Sequence, residues 1–178
     1  MIACHPESKY MYVYRYLITI VSISVFLIVL SSCSDPNQLP NEVLEDTTHL
    51  TVYKKTQCSC CGKWISHIRG NGFTTTSKNQ HDLTDIKEKL GIEKSLRSCH
   101  TSVTDDGFVF EGHIPAKFVR QFLKDKPQGS KGLAVPGMPT GTPGMEFGDL
   151  FRPYTIYLLK VDGSVEIYAK VNSSEEQI

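Results

Sequence analysis

The rhythm of apolar and polar positions changes several times along this chain, and each change marks an element. Leu17 to Leu30 is an almost unbroken apolar run, interrupted only by Thr19, Ser22 and Ser24, with Lys9 and Arg15 ahead of it. That length suits the centre of a signal peptide and is short for a membrane span. Ser34 to about Thr48 is polar and carries Pro36 and Pro40. It is too poor in apolar residues to build a core and reads as a tether. Leu50 to Thr56 then reads as a strand through Leu50, Val52 and Tyr53. Gly62 to Arg69 reads as a helix with Trp64, Ile65 and Ile68 on one face. Asn71-Gly72 stops that helix, and Phe73 to Thr76 is expected to be a second strand.

Leu83, Ile86 and Leu90 recur at helical spacing within Asp82–Leu90, which Gly91 closes. A polar stretch, Glu93 to Ser98, leads to Cys99-His100. Thr101–Val103 and Phe108–Phe110 flank Thr104-Asp105-Asp106-Gly107, the pattern of a hairpin. Pro115 opens a helix to about Lys124, with Phe118, Val119, Phe122 and Leu123 as its apolar stripe. Gly129 to Pro153 has no period and is rich in glycine and proline. An irregular segment of that length in a compact domain usually serves function or is disordered. Tyr154–Lys160 and Val165–Val171 read as a hairpin across Asp162-Gly163, and residues 173–178 as a disordered tail. The order β-α-β-α-β-β-α, with cysteines ending the first strand, predicts an α/β, thioredoxin-like domain over residues 49–172. It would be a mixed sheet with flanking helices, plus a Gly/Pro/Met-rich loop and a C-terminal β-hairpin.

Charge narrows the partners. The chain carries 19 basic and 19 acidic residues. There is no basic stripe for nucleic acid and no acidic tract for a polycation. Leu30-Ser31-Ser32-Cys33 matters more, because it resembles a bacterial lipobox. That pattern predicts a signal peptide over 1–32, an acylated Cys33 and a tether over 33–48; an uncleaved anchor helix is the alternative. Met11 would start a more typical leader. The expected location is the bacterial envelope, lipid-anchored and facing the periplasm. Ser34, in place of the Asp linked to inner-membrane retention, favours the outer membrane. In that oxidising compartment, unprotected thiols become disulfides unless a metal or a reductant holds them.

Cys58-Ser59-Cys60-Cys61 puts three thiols in four residues. Cys58 and Cys61 alone form C-x-x-C between a strand and a helix, where the helix N-terminus stabilises thiolate. That feature suits a redox nucleophile and a metal ligand equally. Cys60 tilts the balance, since a dithiol exchanger needs two sulfurs and a third invites mispairing. Thiolates can bridge Cu(I) ions, so a metal cluster can use all three. In thioredoxin-like folds the loop before the third strand faces the C-x-x-C turn, and Cys99-His100 occupies that place. Cys99 would then be a fourth thiol, or else a buried small residue or disulfide partner. The segment has no proline at this point, unlike true thioredoxins, which weakens a plain disulfide-exchange reading. Met138 and Met145 follow glycines in the irregular segment, and thioethers favour Cu(I) over Zn; pinning the loop to the core is the alternative for each. His113, in Glu111-Gly-His-Ile-Pro115, reads first as a supporting residue and second as a ligand. His67 and His81 have no comparable context.

Val52-Tyr-Lys, Cys58-x-Cys-Cys-Gly-Lys-Trp64, Ser98-Cys-His-Thr101, Glu111-Gly-His-Ile-Pro115 and Gly132-Leu-Ala-Val-Pro-Gly-Met-Pro-x-Gly-x-Pro-Gly-Met145 together resemble the DUF411 family of bacterial metal-binding proteins. The resemblance spans about residues 50 to 170. It implies a thioredoxin-like fold, export, a link to copper resistance, and copper bound by the C-x-C-C thiols. Carried over, Cys58, Cys60, Cys61 and Cys99 are the sulfur set, with Met138 or Met145 as thioethers; His100, beside Cys99, and His113 are imidazole candidates from the residue pattern alone. The expectation is a copper-binding envelope lipoprotein, holding chiefly Cu(I) and more than one ion, that sequesters copper, passes it to other envelope proteins or changes its redox state. The alternative is a thiol–disulfide oxidoreductase or copper reductase using the Cys58/Cys61 pair.

Overall fold

The structure, a computed structural model, describes residues 48–178. The expected signal peptide, the acylated Cys33 and the tether as far as residue 47 lie outside the described residues. Within them the element order is β1 (His49–Lys55), α1 (Ser59–Gly70), β2 (Thr74–Gln80), α2 (Thr84–Lys89), β3 (His100–Thr104), β4 (Val109–Glu111), α3 (Ala116–Asp125), β5 (Ser130–Ala134), β6 (Tyr154–Lys160) and β7 (Val165–Val171). All seven strands join one mixed sheet in the order β2-β1-β3-β4-β5-β6-β7. The β1–β2 and β4–β5 pairs are parallel and the other four antiparallel. No helix among the described residues is long and apolar enough to cross a membrane.

Strand alternation divides the core into two layers. Phe110, Leu133 and Leu158 point to one face, and their neighbours Val109, Ala134 and Leu159 to the other. The first face carries the larger cluster, where α1 contributes Trp64, Ile65 and Ile68, and α3 contributes Phe118, Val119 and Phe122. Full burial of side chains such as Trp64, Phe110 and Phe122 stabilises the fold by roughly 1.5–3 kcal/mol each. The smaller cluster is closed by Ile92 and Leu96, on the turn that follows α2.

Four sequence expectations need correction. The first helix begins at Ser59 rather than Gly62, because Cys58 caps it: its sulfur accepts the Cys61 N–H at 3.3 Å. The second strand runs on to Gln80. Its polar continuation shows no apolar alternation because β2 is a sheet edge, exposed along nearly its whole length. The segment Gly129–Pro153 is not wholly irregular, since Ser130–Ala134 forms β5 between β4 and β6. Gly132 hid it: β4 passes so close that a Cβ there would overlap the Val109 carbonyl. The C-terminal residues are not a disordered tail. Glu175–Gln177 forms a 3₁₀ turn, and the Gln177 amide bridges the Tyr154 hydroxyl at 2.8 Å and the Gly141 carbonyl at 3.0 Å.

Candidate metal centre

The start of α1 and the start of β3 meet at one end of the sheet. Backbone pairing sets this contact, because Lys54 of β1 lies opposite His100 of β3. The sulfurs that follow β1 are therefore delivered to those that precede β3. Cys58, Cys60, Cys61 and Cys99 offer ligand atoms that all lie within 4.8 Å of one another. Cys58 and Cys61 are joined as a disulfide, and Cys60 and Cys99 are free. The Cys60 sulfur lies 3.5 Å from that of Cys58, and the Cys99 sulfur lies 3.5 Å from Cys61 and 4.0 Å from Cys60. Cys61 is fully buried, while the other three sit at the edge of solvent.

A second set, Cys99, His100 and His113, meets the first at Cys99. The His113 ring is oriented from behind. Its Nδ1 lies 2.8 Å from the Pro143 carbonyl, which can only accept, so Nδ1 carries the hydrogen. The lone pair on Nε2 then faces the Cys99 sulfur at 3.0 Å. His100 Nδ1 lies 3.3 Å from the same sulfur, and its Nε2 is buried without a hydrogen-bond partner. Burial pushes both imidazoles below the ordinary histidine range, and the neighbouring His113 and Lys87 add to the effect at His100. Both therefore stand neutral, the form that can donate a lone pair to a metal. The Trp64 indole packs against His100 with ring centres 4.4 Å apart and donates to the Ile114 carbonyl at 2.8 Å.

Burial first, and the neighbouring Cys60 second, push the Cys99 thiol up to about 12. Without a metal this sulfur keeps its proton. A soft cation would displace it, as metals deprotonate coordinating thiols outright.

The Gly/Pro/Met segment is fastened over this centre. Pro143 holds His113, and Gly144 rests directly on the first turn of α1. A Cβ at Gly144 would come within 2.6 Å of the Cys60 carbonyl oxygen and 2.8 Å of the Trp64 nitrogen, and φ is +88°. Only glycine fits such an approach. Met145 follows it and is partly buried; Met138 stands half exposed. The Met138 end is tied to the Cys99 approach, because Gly137 N–H donates to the Arg97 carbonyl at 3.1 Å and Ser98 Oγ to the Gly137 carbonyl.

The sequence pattern missed a neighbouring polar cluster. Lys87, assigned no place in the apolar stripe of its helix, is buried and paired with the buried Glu111. Glu111 also accepts the Ser98 N–H at 2.6 Å and the Thr101 hydroxyl at 2.6 Å, while Lys87 donates to that hydroxyl at 2.9 Å. Ile86, placed in the stripe, is only partly buried. His67 serves the fold, since its Nε2 accepts the Ala116 N–H at 3.0 Å and so caps α3.

These observations define a mixed α/β protein with a part-buried cluster of four cysteines and two histidines at one end of its sheet. The family described as "Protein of unknown function, DUF411" matches residues 96–145. Two solved structures, titled "Copper resistance protein copG- Form 2" and "Copper resistance protein copG- Form 1", superpose with TM-scores of 0.67 and 0.66. Each is 37% identical to this chain, and each match covers 70% of this chain and 98% of the other. No curated protein matches. The chain belongs to the DUF411 family of CopG-like copper-resistance proteins.

Proposed function

We propose that this protein binds copper, chiefly as Cu(I), at the junction of α1 and β3, as an exported lipoprotein anchored through Cys33 and serving copper resistance in the envelope. The observation that carries the reading is the gathering of four sulfurs within 4.8 Å, with the His113 lone pair turned on Cys99. Hard cations prefer oxygen and have little use for such a set; thiolate with imidazole suits soft, polarisable ions. Four sulfurs that close together favour bridging between ions, hence more than one Cu(I). Met138 and Met145, both on the segment fastened over the centre, are the thioether candidates. The order β2-β1-β3-β4, with β3 antiparallel to β1, supports a thioredoxin-like description of the first part of the sheet.

The Cys58–Cys61 disulfide gives the redox reading a specific footing. Closed, it withholds two sulfurs from any metal; opened by two electrons, it restores the set of four. Copper binding and thiol redox chemistry would therefore be alternate states of one site. Sequestration, transfer and redox conversion of copper all start from the opened state. The test is Cu(I) stoichiometry in reduced protein without oxygen. Cys60→Ser, which leaves the C-x-x-C pair intact, should lower the number of copper ions bound per chain. An unchanged number would remove Cys60 from the site and return the cluster to simple dithiol chemistry.

A further inference from the structure

Cys99 lies just beyond the backbone ladders that organise the rest of β3. Pairing with β1 starts at Lys54–His100, and pairing with β4 at Thr101–Glu111. The place of the Cys99 sulfur therefore depends on the short loop that precedes it, Arg97-Ser98. Two hydrogen bonds of that loop run to Gly137, in the Gly/Pro/Met segment. A third runs to the sheet, where Ser98 N–H donates to Glu111 Oε1 at 2.6 Å. Gly112 makes room for the Ser98 side chain, since a Cβ there would lie 2.7 Å from the Ser98 Cβ and Oγ. Next in the chain, His113 brings its Nε2 to 3.0 Å from the Cys99 sulfur. Three consecutive residues thus attend on Ser98-Cys99. The Glu111 carboxylate is itself held fast. It is fully buried, its Oε2 accepts the Thr101 hydroxyl at 2.6 Å, and the Lys87 ammonium closes on Oε1.

We propose that Glu111 is a positioning residue for the metal centre. Its carboxylate, acting through the Ser98 N–H, sets where the Cys99 sulfur stands, and Lys87 and Thr101 set the carboxylate. The inference deepens the copper reading and rests on it, because Cys99 is one of the four sulfurs assigned there. A buried ion pair is often no more stabilising than apolar residues of similar volume. What an apolar pair cannot do is accept the Ser98 N–H. Groups that orient a metal ligand from behind govern affinity although they never touch the ion.

Two double variants of the full-length chain separate positioning from packing. Lys87→Met with Glu111→Gln removes both charges but keeps a carbonyl oxygen for the Ser98 N–H and an N–H for the Thr101 hydroxyl. Lys87→Met with Glu111→Leu removes both charges and the acceptor. Each protein is reduced, loaded with Cu(I) without oxygen and titrated with a chromophoric Cu(I) chelator. The Leu form should hold copper about tenfold more weakly than the Gln form, the low end for losing a group that orients a ligand. In reduced, metal-free protein, alkylation of Cys99 should speed up relative to Cys60 in the Leu form, while the Gln form keeps the parent ratio. General loosening would instead speed both and open the buried Cys61. Equal copper affinity in the two forms, or an unchanged Cys99-to-Cys60 ratio in the Leu form, would overturn the proposal. Should the Leu form not fold, hydrogen exchange in the parent protein decides. The Ser98 amide, outside every strand, should be as well protected as the amides of β3; exchange at the rate of an open loop overturns the proposal. If the parent protein binds no Cu(I) while the alkylation ratio shifts as expected, the copper reading fails and the positioning of Cys99 stands.

Discussion

Two polar clusters, one buried and one part-buried, meet at the start of β3, and they are finished to different degrees. Around Thr101, the Lys87–Glu111 pair is closed: the ammonium, the carboxylate, the hydroxyl and the Ser98 N–H all have partners within the protein. Around the preceding residue, His100, the cluster is open. Four sulfurs have chiefly one another for company, and His100 Nε2 is buried with none. An unsatisfied buried polar atom costs about 1–3 kcal/mol, and His100 Nε2 is such an atom, in the cluster that holds the free thiols of Cys60 and Cys99. The satisfied cluster holds β3, β4 and α2 in register. The unsatisfied one, a residue away, is where chemistry is expected.

Breaking the closed cluster should have the largest effect on stability. Glu111→Ala strands the Lys87 charge inside the protein and should cost roughly 3–5 kcal/mol, the range for removing one partner of a buried pair. Chemical denaturation checks it, and the double change Lys87→Met with Glu111→Leu should recover only part of the loss, because the Ser98 N–H and the Thr101 hydroxyl lose their acceptor. A cost below about 1 kcal/mol would mean that the pair is better hydrated than its burial indicates.

Acid should act next, chiefly through the open cluster. Burial holds His67, His100 and His113 below 6.5, the value expected when unfolded. The unfolded chain therefore binds more protons, and the stability these groups contribute is fully present above about pH 6.5 and lost as pH falls below it. Glu111 opposes the trend at lower pH, since burial raises its carboxyl above 4.5. The melting temperature of the metal-free protein should fall between about pH 7.5 and pH 5.5. A flat profile across that window would contradict neutral, buried imidazoles.

Met138→Leu should have the smallest effect. The side chain is half exposed, so stability should stay within about 0.5 kcal/mol and the copper count should not change. A lost copper ion would place Met138 in the site.

The contrast between the clusters also explains what the sequence disclosed. Thiols crowded into Cys58–Cys61, with Cys99-His100 ahead of a strand, are legible because sulfur is rarely placed without reason. The stripes Trp64-Ile65-Ile68 and Phe118-Val119-Phe122 followed helical periodicity and are buried as expected. Lys87 and Glu111 were not legible: nothing local marks a lysine on a short helix as buried, and its partner lies 24 residues away. β5 was hidden for the converse reason, because close packing against β4 demands glycine where pattern demands a side chain. His113 was half readable. Its place before a helix suggested support for the site, but its ring orientation depends on Pro143, 30 residues further on.

The central claim is that the open cluster is completed by copper. Metal analysis with thiol counting, on full-length protein reduced and loaded without oxygen, tests it most directly. The account predicts more than one Cu(I) per chain, with Cys58, Cys60, Cys61 and Cys99 all protected from alkylation. Protein that binds no copper, with those four thiols reduced and freely alkylated, would contradict it.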